Sequence, residues 1–396
     1  MSSKKTETLA IHAGSAGRAS KSMPVAPPLH LASVSYFEHA DDLDRSLDGA
    51  DFVYARNLAQ NAAMLEEAIA ALEGAEACAA FASGMAALKA LLDVQPLAAG
   101  DRVVMPFDCY GTTRALFKSV LSSRGVELHS VPLAEPNAPG KILVLRPKLV
   151  LVESITNPLV SVPDVRAIAK ACKEIGAALA VDATFASPVL QRPLELGADY
   201  AVQSTTKWIN GHSDALGGAV SGSLERIEPL KSSRVLTGAV LGPFEAWLTL
   251  RGVRTLPVRM RAHCEHAEHV ARRLARAPHL EKVLYPGLPT HPQHGVAKEI
   301  LRGGFGGMLA FHLRGGGRSE AFRFLESVKL AKPAPSLGDV TTLVMHAATA
   351  SARRMTQAER EAAGIGENLI RVSVGLEDPD DIADDLLHAA QSAMGH

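Results

Sequence analysis

Apolar and polar positions between residues 62 and 222 follow two alternating patterns. Over 64–72 the apolar residues recur every three or four positions, which is typical of an amphipathic helix. Short continuous apolar runs at 102–106, 149–152 and 178–181 predict buried strands instead. Because such strands alternate with helical patterns, they favour a mostly parallel sheet covered on both faces. The pattern therefore predicts an α/β fold.

Polar clusters follow directly after several of the predicted strands. They lie at 153–157, 182–185 and 204–207. Right-handed crossovers place the carboxyl ends of parallel strands at one edge of a sheet, where α/β proteins bind their ligands. We therefore expect the three clusters to meet at a single rim.

The ends of the chain have other patterns, and three regions are predicted. Residues 1–60 carry prolines and few periodic runs, which predicts an extended N-terminal arm that contacts a neighbouring subunit and has a short helix around 40–47. The large α/β domain covers 61–255, with a helical connection at 225–260. A smaller C-terminal α+β domain covers 256–396. Its predicted elements are strands at 307–313, 343–345 and 369–374 and helices at 263–275 and 378–393.

Composition excludes several functional classes. The chain has 396 residues, and its 41 Lys and Arg nearly balance 42 Asp and Glu, which argues against nucleic-acid binding. No apolar run reaches the roughly 20 residues that span a membrane, and the polar start resembles no secretory signal. The four cysteines form no C-x-x-C pair, so we expect neither a disulfide framework nor a metal site. We expect a cytoplasmic enzyme.

Lys207 is the first candidate for chemistry, because it follows a predicted buried strand. A desolvated lysine has a lowered pKa and becomes a nucleophilic amine. Ser204 and Thr206 lie two positions apart in an extended segment, so both hydroxyls face one side and suit a phosphate group. The alternative is an ordinary surface lysine after a strand.

Three further segments supply complementary groups. Asp182 ends a predicted strand, where a buried carboxylate needs a partner such as a protonated pyridine nitrogen, although an N-cap or ion pair is the alternative. Ser83 and Gly84 precede a predicted helix, whose N-terminus favours phosphate, although a plain serine cap is the alternative. Tyr110 either stacks on a flat ring or packs over the sheet edge. Together these groups match the needs of pyridoxal 5′-phosphate (PLP).

Ordered motifs then connect the chain to a known family. The most specific are Glu153-Ser154-Ile155-Thr156-Asn157-Pro158, the segment 204–214 and Ser336-Leu337-Gly338-Asp339. From residue 10 to residue 377 the chain resembles the PLP-dependent Cys/Met-metabolism (trans-sulfuration) enzymes, which include methionine γ-lyase, cystathionine γ-lyase and homoserine sulfhydrylase. The resemblance implies PLP fold type I, the aspartate-aminotransferase-like fold. That fold has a mostly parallel, seven-stranded-type sheet domain and a smaller C-terminal α+β domain.

The resemblance also implies cofactor-binding roles. Lys207 would hold PLP covalently and later move protons, and Asp182 would pair with the pyridine nitrogen. Tyr110 would stack on the ring and take part in proton transfer. The PLP phosphate would be held by Ser83, Gly84, Met85, Ser204 and Thr206.

Substrate binding and assembly are implied in the same way. Arg371 would clamp the substrate carboxylate, with Ser336 nearby, and Asn157 would contact both the cofactor and the substrate. Tyr54 and Arg56 match a Tyr-x-Arg motif that completes the phosphate site of the neighbouring subunit. The catalytic unit would therefore be a homodimer, usually doubled to a homotetramer.

The implied reaction is γ-elimination or γ-replacement on a sulfur-containing or O-activated homoserine-type amino acid. Two alternatives remain open: β-elimination of the cystathionine β-lyase type, and a catalytically silent PLP-binding or scaffold protein. The second is motivated by Ala59-Gln60-Asn61, where the family usually has Asn-Pro-Thr. Further departures at Ala183 and at 346–352 indicate that the substrate-side surroundings have drifted.

Overall fold

The computed structural model describes residues 4–14 and 24–395. Residues 1–3, 15–23 and 396, which belong to the predicted arm and C-terminal domain, lie outside the described residues. The helices of the described part are α1 Thr6–His12, α2 Ala40–Arg45, α3 Gln60–Glu73, α4 Gly84–Val94, α5 Gly111–Ser123, α6 Ala138–Leu145, α7 Val165–Ile175, α8 Ser187–Leu190, α9 Leu224–Thr237, α10 Pro243–Val253, α11 Leu256–Leu274, α12 His294–Ile300, α13 Arg318–Ser327, α14 Gln357–Ala362 and α15 Pro379–Ala393.

Two sheets are built from short strands. The strands are β1 Ala77–Phe81, β2 Arg102–Pro106, β3 Glu127–Val131, β4 Leu149–Glu153, β5 Ala178–Asp182, β6 Tyr200–Gln203, β7 Gly218–Gly222, β8 Leu280–Leu284, β9 Met308–Leu313, β10 Lys332–Pro333, β11 Leu343–His346 and β12 Leu369–Ser373. The larger sheet has the order β1-β7-β6-β5-β4-β2-β3, and the smaller has the order β10-β11-β12-β9-β8.

The larger sheet is mostly parallel, as the apolar runs predict. Strand β2 is parallel to β3 and β4, and β4 is parallel to β5, whereas β1 and β7 form an antiparallel pair. All five residues of β4 are buried, because helices cover a parallel sheet on both faces. The predicted fold class is therefore confirmed.

Contacts within the chain divide it into two compact units. One unit comprises Met1–Val94 and Val202–Pro257, and the other comprises Gln95–Ala201 and Val258–His396. In the first, α3 packs against α10 and β1. In the second, α6 and α7 pack together over a core that includes Val150, Ile168 and Val181. The domain boundaries predicted from the sequence stay a prediction.

The smaller sheet belongs to the second unit. Strand β12 is antiparallel to both β9 and β11, and Arg371 in its middle lies opposite Met345 and Ala310. Helices α13 and α15 pack together, and a core that includes Phe311 and Phe324 lies beneath them. The strands and the final helix expected here are present.

Two segments differ from the sequence expectation. The connection at 225–260 is not continuously helical: α9 ends at Gly238, which has φ 71°, and α10 begins at Pro243. Left-handed glycine is a common helix terminator. In the arm, the short helix expected around 40–47 is α2, and it continues into a π-helical turn at Ser46–Ala50. Among the described helices, none is both long enough and apolar enough to cross a membrane.

Candidate active site

The first unit contains a strand–turn–helix segment with a serine at the start of α4. Ser83 caps this helix, because its Oγ accepts a hydrogen bond from the Ala86 backbone N–H at 3.1 Å. Gly84 lies against Ser204: a β-carbon added at Gly84 would come within 3.0 Å of the Ser204 β-carbon and 3.2 Å of its Oγ. The two predicted phosphate segments of this unit are therefore in contact, and any side chain at position 84 would require Ser204 to move by a few tenths of an ångström.

The segment from Ser204 to Gly211 forms a tight turn that holds Lys207. The Lys207 N–H donates to the Ser204 carbonyl at 3.2 Å, and the Gly211 N–H donates to the Lys207 carbonyl at 2.8 Å. Trp208 beside the lysine is almost fully buried, whereas Lys207 itself is half-buried. Burial of the neighbouring side chains fixes the backbone from which Lys207 extends.

The Thr206 hydroxyl already has partners in its own unit. It accepts from the Gly217 N–H at 3.0 Å and donates to the Gly217 carbonyl at 3.2 Å. A phosphate oxygen is only an acceptor, so binding phosphate would require the hydroxyl to redirect its proton from Gly217. The Thr206 hydroxyl would thus have to exchange a partner before it could donate to a phosphate, and its predicted role stays a prediction.

Tyr54 and Arg56 lie on the surface of the first unit. The guanidinium of Arg56 lies 5.3 Å from the centre of the Tyr54 ring and donates to the Val235 carbonyl at 2.9 Å. Tyr54 is 44% exposed. Their exposure is compatible with the role expected from the resemblance, in which they serve another copy of the chain.

In the second unit, two carboxylates end neighbouring parallel strands. Glu153 ends β4 and Asp182 ends β5, and the two residues are direct partners in the sheet register. Burial raises the pKa of both carboxyls, and the charge of Asp182 raises the pKa of Glu153 further. Asp182 accepts a hydrogen bond from the Thr184 N–H at 3.0 Å. A positively charged partner would stabilise the charged forms of these two carboxyl groups at one edge of the sheet.

Glu153 connects several predicted site residues. Its Oε1 accepts from the Tyr110 backbone N–H and its Oε2 accepts from the Asn157 backbone N–H, both at 2.8 Å. Arg371 then donates to Asn157 Oδ1 at 3.0 Å and to the Ser336 carbonyl at 2.6 Å. One chain of hydrogen bonds therefore links Tyr110, Asn157, Arg371 and Ser336.

The sequence motif that contains Glu153 does not predict this positioning function. The signal was present, since a carboxylate at the end of an apolar strand must find donors. Which donors it finds depends on a loop 43 residues earlier in the chain. Asp108 shows the same behaviour: it accepts from the Thr156 hydroxyl at 2.6 Å.

The residues of both units suit PLP. The contact between Gly84 and Ser204 at a helix N-terminus is a cradle of a kind that accepts phosphate. Within the described part of the chain, the buried Asp182 carboxyl has hydrogen bonds only with its neighbour Thr184, which suits a protonated pyridine nitrogen. Tyr110, 41% exposed, presents an aromatic ring at the start of α5. The first unit thus offers a place for a phosphate, and the second unit offers partners for a ring nitrogen and a ring face.

Comparisons with known proteins agree with this chemistry. Residues 7–391 match the model of the Cys/Met metabolism PLP-dependent enzyme family. The chain is 41% identical over 334 residues to O-succinylhomoserine sulfhydrylase of Pseudomonas aeruginosa, which covers 84% of this chain and 82% of that protein. It is 39% identical over 385 residues to L-methionine gamma-lyase of Fusobacterium nucleatum subsp. polymorphum, covering 96% of each.

A solved structure is also similar over nearly the full length. The crystal structure of cystathionine gamma synthase from Xanthomonas oryzae pv. oryzae in complex with cystathionine has a TM-score of 0.92, 36% identity and 99% coverage of both chains. A sulfhydrylase, a γ-lyase and a γ-synthase fit the γ-elimination or γ-replacement expected from the sequence, so that prediction is confirmed. The chain belongs to the PLP-dependent Cys/Met-metabolism enzymes and is a trans-sulfuration enzyme with PLP as its cofactor.

Proposed function

We propose that this enzyme acts at the γ-carbon of a sulfur-containing or O-activated homoserine-type amino acid, either by eliminating the γ-substituent or by replacing it with a thiol. The named relatives support the γ-carbon chemistry, and the observation that carries the amino-acid substrate is Arg371, which is 3% exposed. Its described partners are an amide oxygen and a carbonyl oxygen, and they include no carboxylate.

A buried guanidinium without a carboxylate is costly, because its charge is only partly compensated. Burial lowers the pKa of Arg371 to about 10, which leaves it charged at neutral pH. Its Nε has no hydrogen-bond partner. The planar fork of donors fits the α-carboxylate of an amino acid. We therefore assign Arg371 to the substrate carboxylate, with Asn157 and Ser336 holding it in orientation.

The cofactor roles follow from family membership and the local geometry. PLP, when bound, supplies an electron sink that acidifies the Cα–H of the amino acid. We assign its covalent attachment to Lys207 and its ring nitrogen to Asp182. Tyr110 supports the ring face. The phosphate is assigned to the cradle and its neighbours, which are Ser83, Gly84, Met85, Ser204 and Thr206.

Proton transfer is assigned to two side chains. Lys207 Nζ would accept the proton from Cα, and the same amine, after passing that proton on, would accept the proton that leaves Cβ before the γ-substituent departs. The Tyr110 hydroxyl moves a proton to the departing group. Glu153 fixes the Tyr110 backbone for this step. Lyase and synthase share these steps and differ only in whether water or a thiol reacts last.

We further propose a homodimeric catalytic unit, doubled to a homotetramer, in the cytoplasm. Apolar side chains of the arm support the assembly, since Val25 is 93% and Tyr36 is 91% exposed in a single chain. All four cysteines are free and buried, which supports a reducing compartment.

The test is product analysis with a panel of amino acids. Purified holoenzyme is incubated with L-methionine, L-cystathionine and O-succinyl-L-homoserine, with and without an added thiol. We expect 2-oxobutanoate without thiol and a new thioether amino acid with thiol. Pyruvate from cystathionine as the sole oxo acid would instead identify β-elimination. No turnover of any substrate would identify a silent PLP-binding protein.

Variants of Lys207 test the residue assignment. Lys207→Ala should lower turnover by about 10²–10⁴-fold and abolish the covalent PLP adduct that borohydride reduction and mass spectrometry detect. The matched control is Lys170→Ala, which removes an exposed lysine of α7. An adduct at another lysine would overturn the assignment.

A further inference from the structure

A cavity of about 510 Å³ lies in the second unit, outside the residues assigned to PLP and substrate. It is lined by residues of α13 and α14 and of the loops after β11 and α14. The side chains that matter are Arg318, Phe322, Thr349, Arg353, Arg360 and Glu367. Its volume falls in the range of roughly 300–1,000 Å³ that is typical of small-molecule sites.

Positive charge is in excess around this cavity. Arg360 forms an ion pair with Glu367 at 2.8 Å, which compensates one guanidinium. Arg318 lies 5.1 Å from the centre of the Phe322 ring and has no carboxylate partner among the described residues. Arg353 is exposed and likewise has none in the described part of the chain. The three arginines and one glutamate leave a net charge of +2.

The pKa of the neighbouring His346 is affected by this positive charge. Burial lowers the pKa of His346, and the positive charges of Arg318 and Arg360 lower it further. Nδ1 of His346 forms a hydrogen bond with Thr349 Oγ1 at 3.0 Å. The His346 ring packs edge-on against the Phe322 ring, with ring centres 5.5 Å apart. The wall of the cavity is thus held by packing and hydrogen bonds.

We propose that this cavity binds a phosphate-bearing metabolite of about nucleotide size, with Arg318 and Arg353 holding the phosphate dianion and Phe322 contacting the organic part. Two uncompensated guanidinium groups match the two charges of a phosphate monoester, and arginine binds phosphate oxygens in a bidentate geometry. The Thr349 hydroxyl supplies an additional donor. Inorganic phosphate alone would fill only a small part of the volume.

The test is calorimetric titration of the PLP-saturated holoenzyme, so that the PLP phosphate site is already filled. The probes are AMP, ribose 5-phosphate, inorganic phosphate and adenosine. We expect AMP to bind in a saturable way, inorganic phosphate to bind more weakly, and adenosine not to bind. Affinity should fall as salt is raised, because the charges are accessible to solvent.

Two arginine variants test whether AMP binds in this cavity. Arg353→Ala and Arg318→Ala should each weaken AMP binding by about tenfold, which corresponds to one charge-assisted interaction. The matched control is Arg276→Ala, which removes an exposed arginine that does not line the cavity. The proposal is overturned if no phosphate probe binds, if adenosine binds as tightly as AMP, or if both cavity variants retain full affinity.

Discussion

Single residues at the ends of β4 and β5 explain why this chain suits a cofactor with a protonated ring nitrogen. Glu153 and Asp182 are partners in the sheet register and lie in a region of low polarity. Glu153 accepts from two backbone donors, whereas among the described residues the Asp182 carboxyl has hydrogen bonds only with Thr184. The charge on Asp182 therefore destabilises the PLP-free protein, and a protonated pyridine nitrogen would compensate it.

At the residue scale, Asp182→Asn should stabilise the PLP-free protein and weaken PLP binding. The Asp182 carboxyl binds protons more tightly in the folded chain than in the unfolded chain, because its folded pKa is raised above 3.8. Its contribution to stability is present at low pH and lost as pH rises through the folded pKa. The gain in the free energy of unfolding, about 1 kcal/mol or more, should thus be larger at pH 8 than at pH 5.

Thermal unfolding of the two PLP-free proteins at both pH values measures this effect, and absorbance titration measures PLP affinity. Thr184→Val is a useful companion, because it keeps the Asp182 charge. A variant less stable than the parent protein at pH 8, with PLP affinity unchanged, would contradict the assignment of Asp182 to the ring nitrogen.

At the scale of elements, helix α4 and the turn after β6 meet at a single glycine. The added β-carbon of Gly84→Ala would press on Ser204 at 3.0 Å, a distance that requires the turn to shift. Because this turn also holds Lys207, the shift should weaken PLP binding by about tenfold or more, as one or two charge-assisted hydrogen bonds are lost. Titration of the PLP-free protein with PLP measures the change.

A control for this substitution is available in α6. A β-carbon at Gly140 meets no atom within 4 Å, so Gly140→Ala should stabilise the helix by about 0.5–1 kcal/mol and leave PLP affinity unchanged. Wild-type PLP affinity in Gly84→Ala would show that the cradle is not the phosphate site.

Helices and strands were the features of this structure that the sequence predicted best. The helical period over 64–72 and the apolar runs that became β2, β4 and β5 depend on neighbouring residues only, so they are visible in the sequence. The connection at 225–260 was less predictable. Gly238, with φ 71°, follows the last residue of α9, and a separate helix, α10, begins at Pro243.

At the scale of the whole molecule, the N-terminal arm supports the assembly that we propose. Its exposed apolar side chains include Leu31 at 67% and Val34 at 63%, together with Tyr36. A single folded chain gains nothing from exposing a contiguous apolar segment to water. The resemblance assigns Tyr54 and Arg56, in the same arm, to the phosphate of a neighbouring copy, so assembly and PLP binding should be linked.

We predict that Tyr36→Asp weakens self-association and, with it, PLP affinity. A charge placed in an apolar interface costs desolvation energy without a partner. Analytical ultracentrifugation over a range of protein concentrations, with PLP absorbance recorded in the same cell, measures both effects. The matched control is Val144→Asp, which changes an 81% exposed valine on α6. Equal behaviour of the two variants would refute a role for the arm in assembly.

The sequence by itself determined the fold class, the family and the chemical types at the site, because periodicity and motif order are local properties of the chain. Only the tertiary structure decided which groups meet. Arg371 reaches Asn157 across 214 positions, and Glu153 holds Tyr110 from a different strand. The arginine cavity likewise combines α13, α14 and the loops after β11 and α14, which are far apart in the sequence or separated by other elements. Such contacts arise from packing between distant segments, which no local pattern of residues specifies.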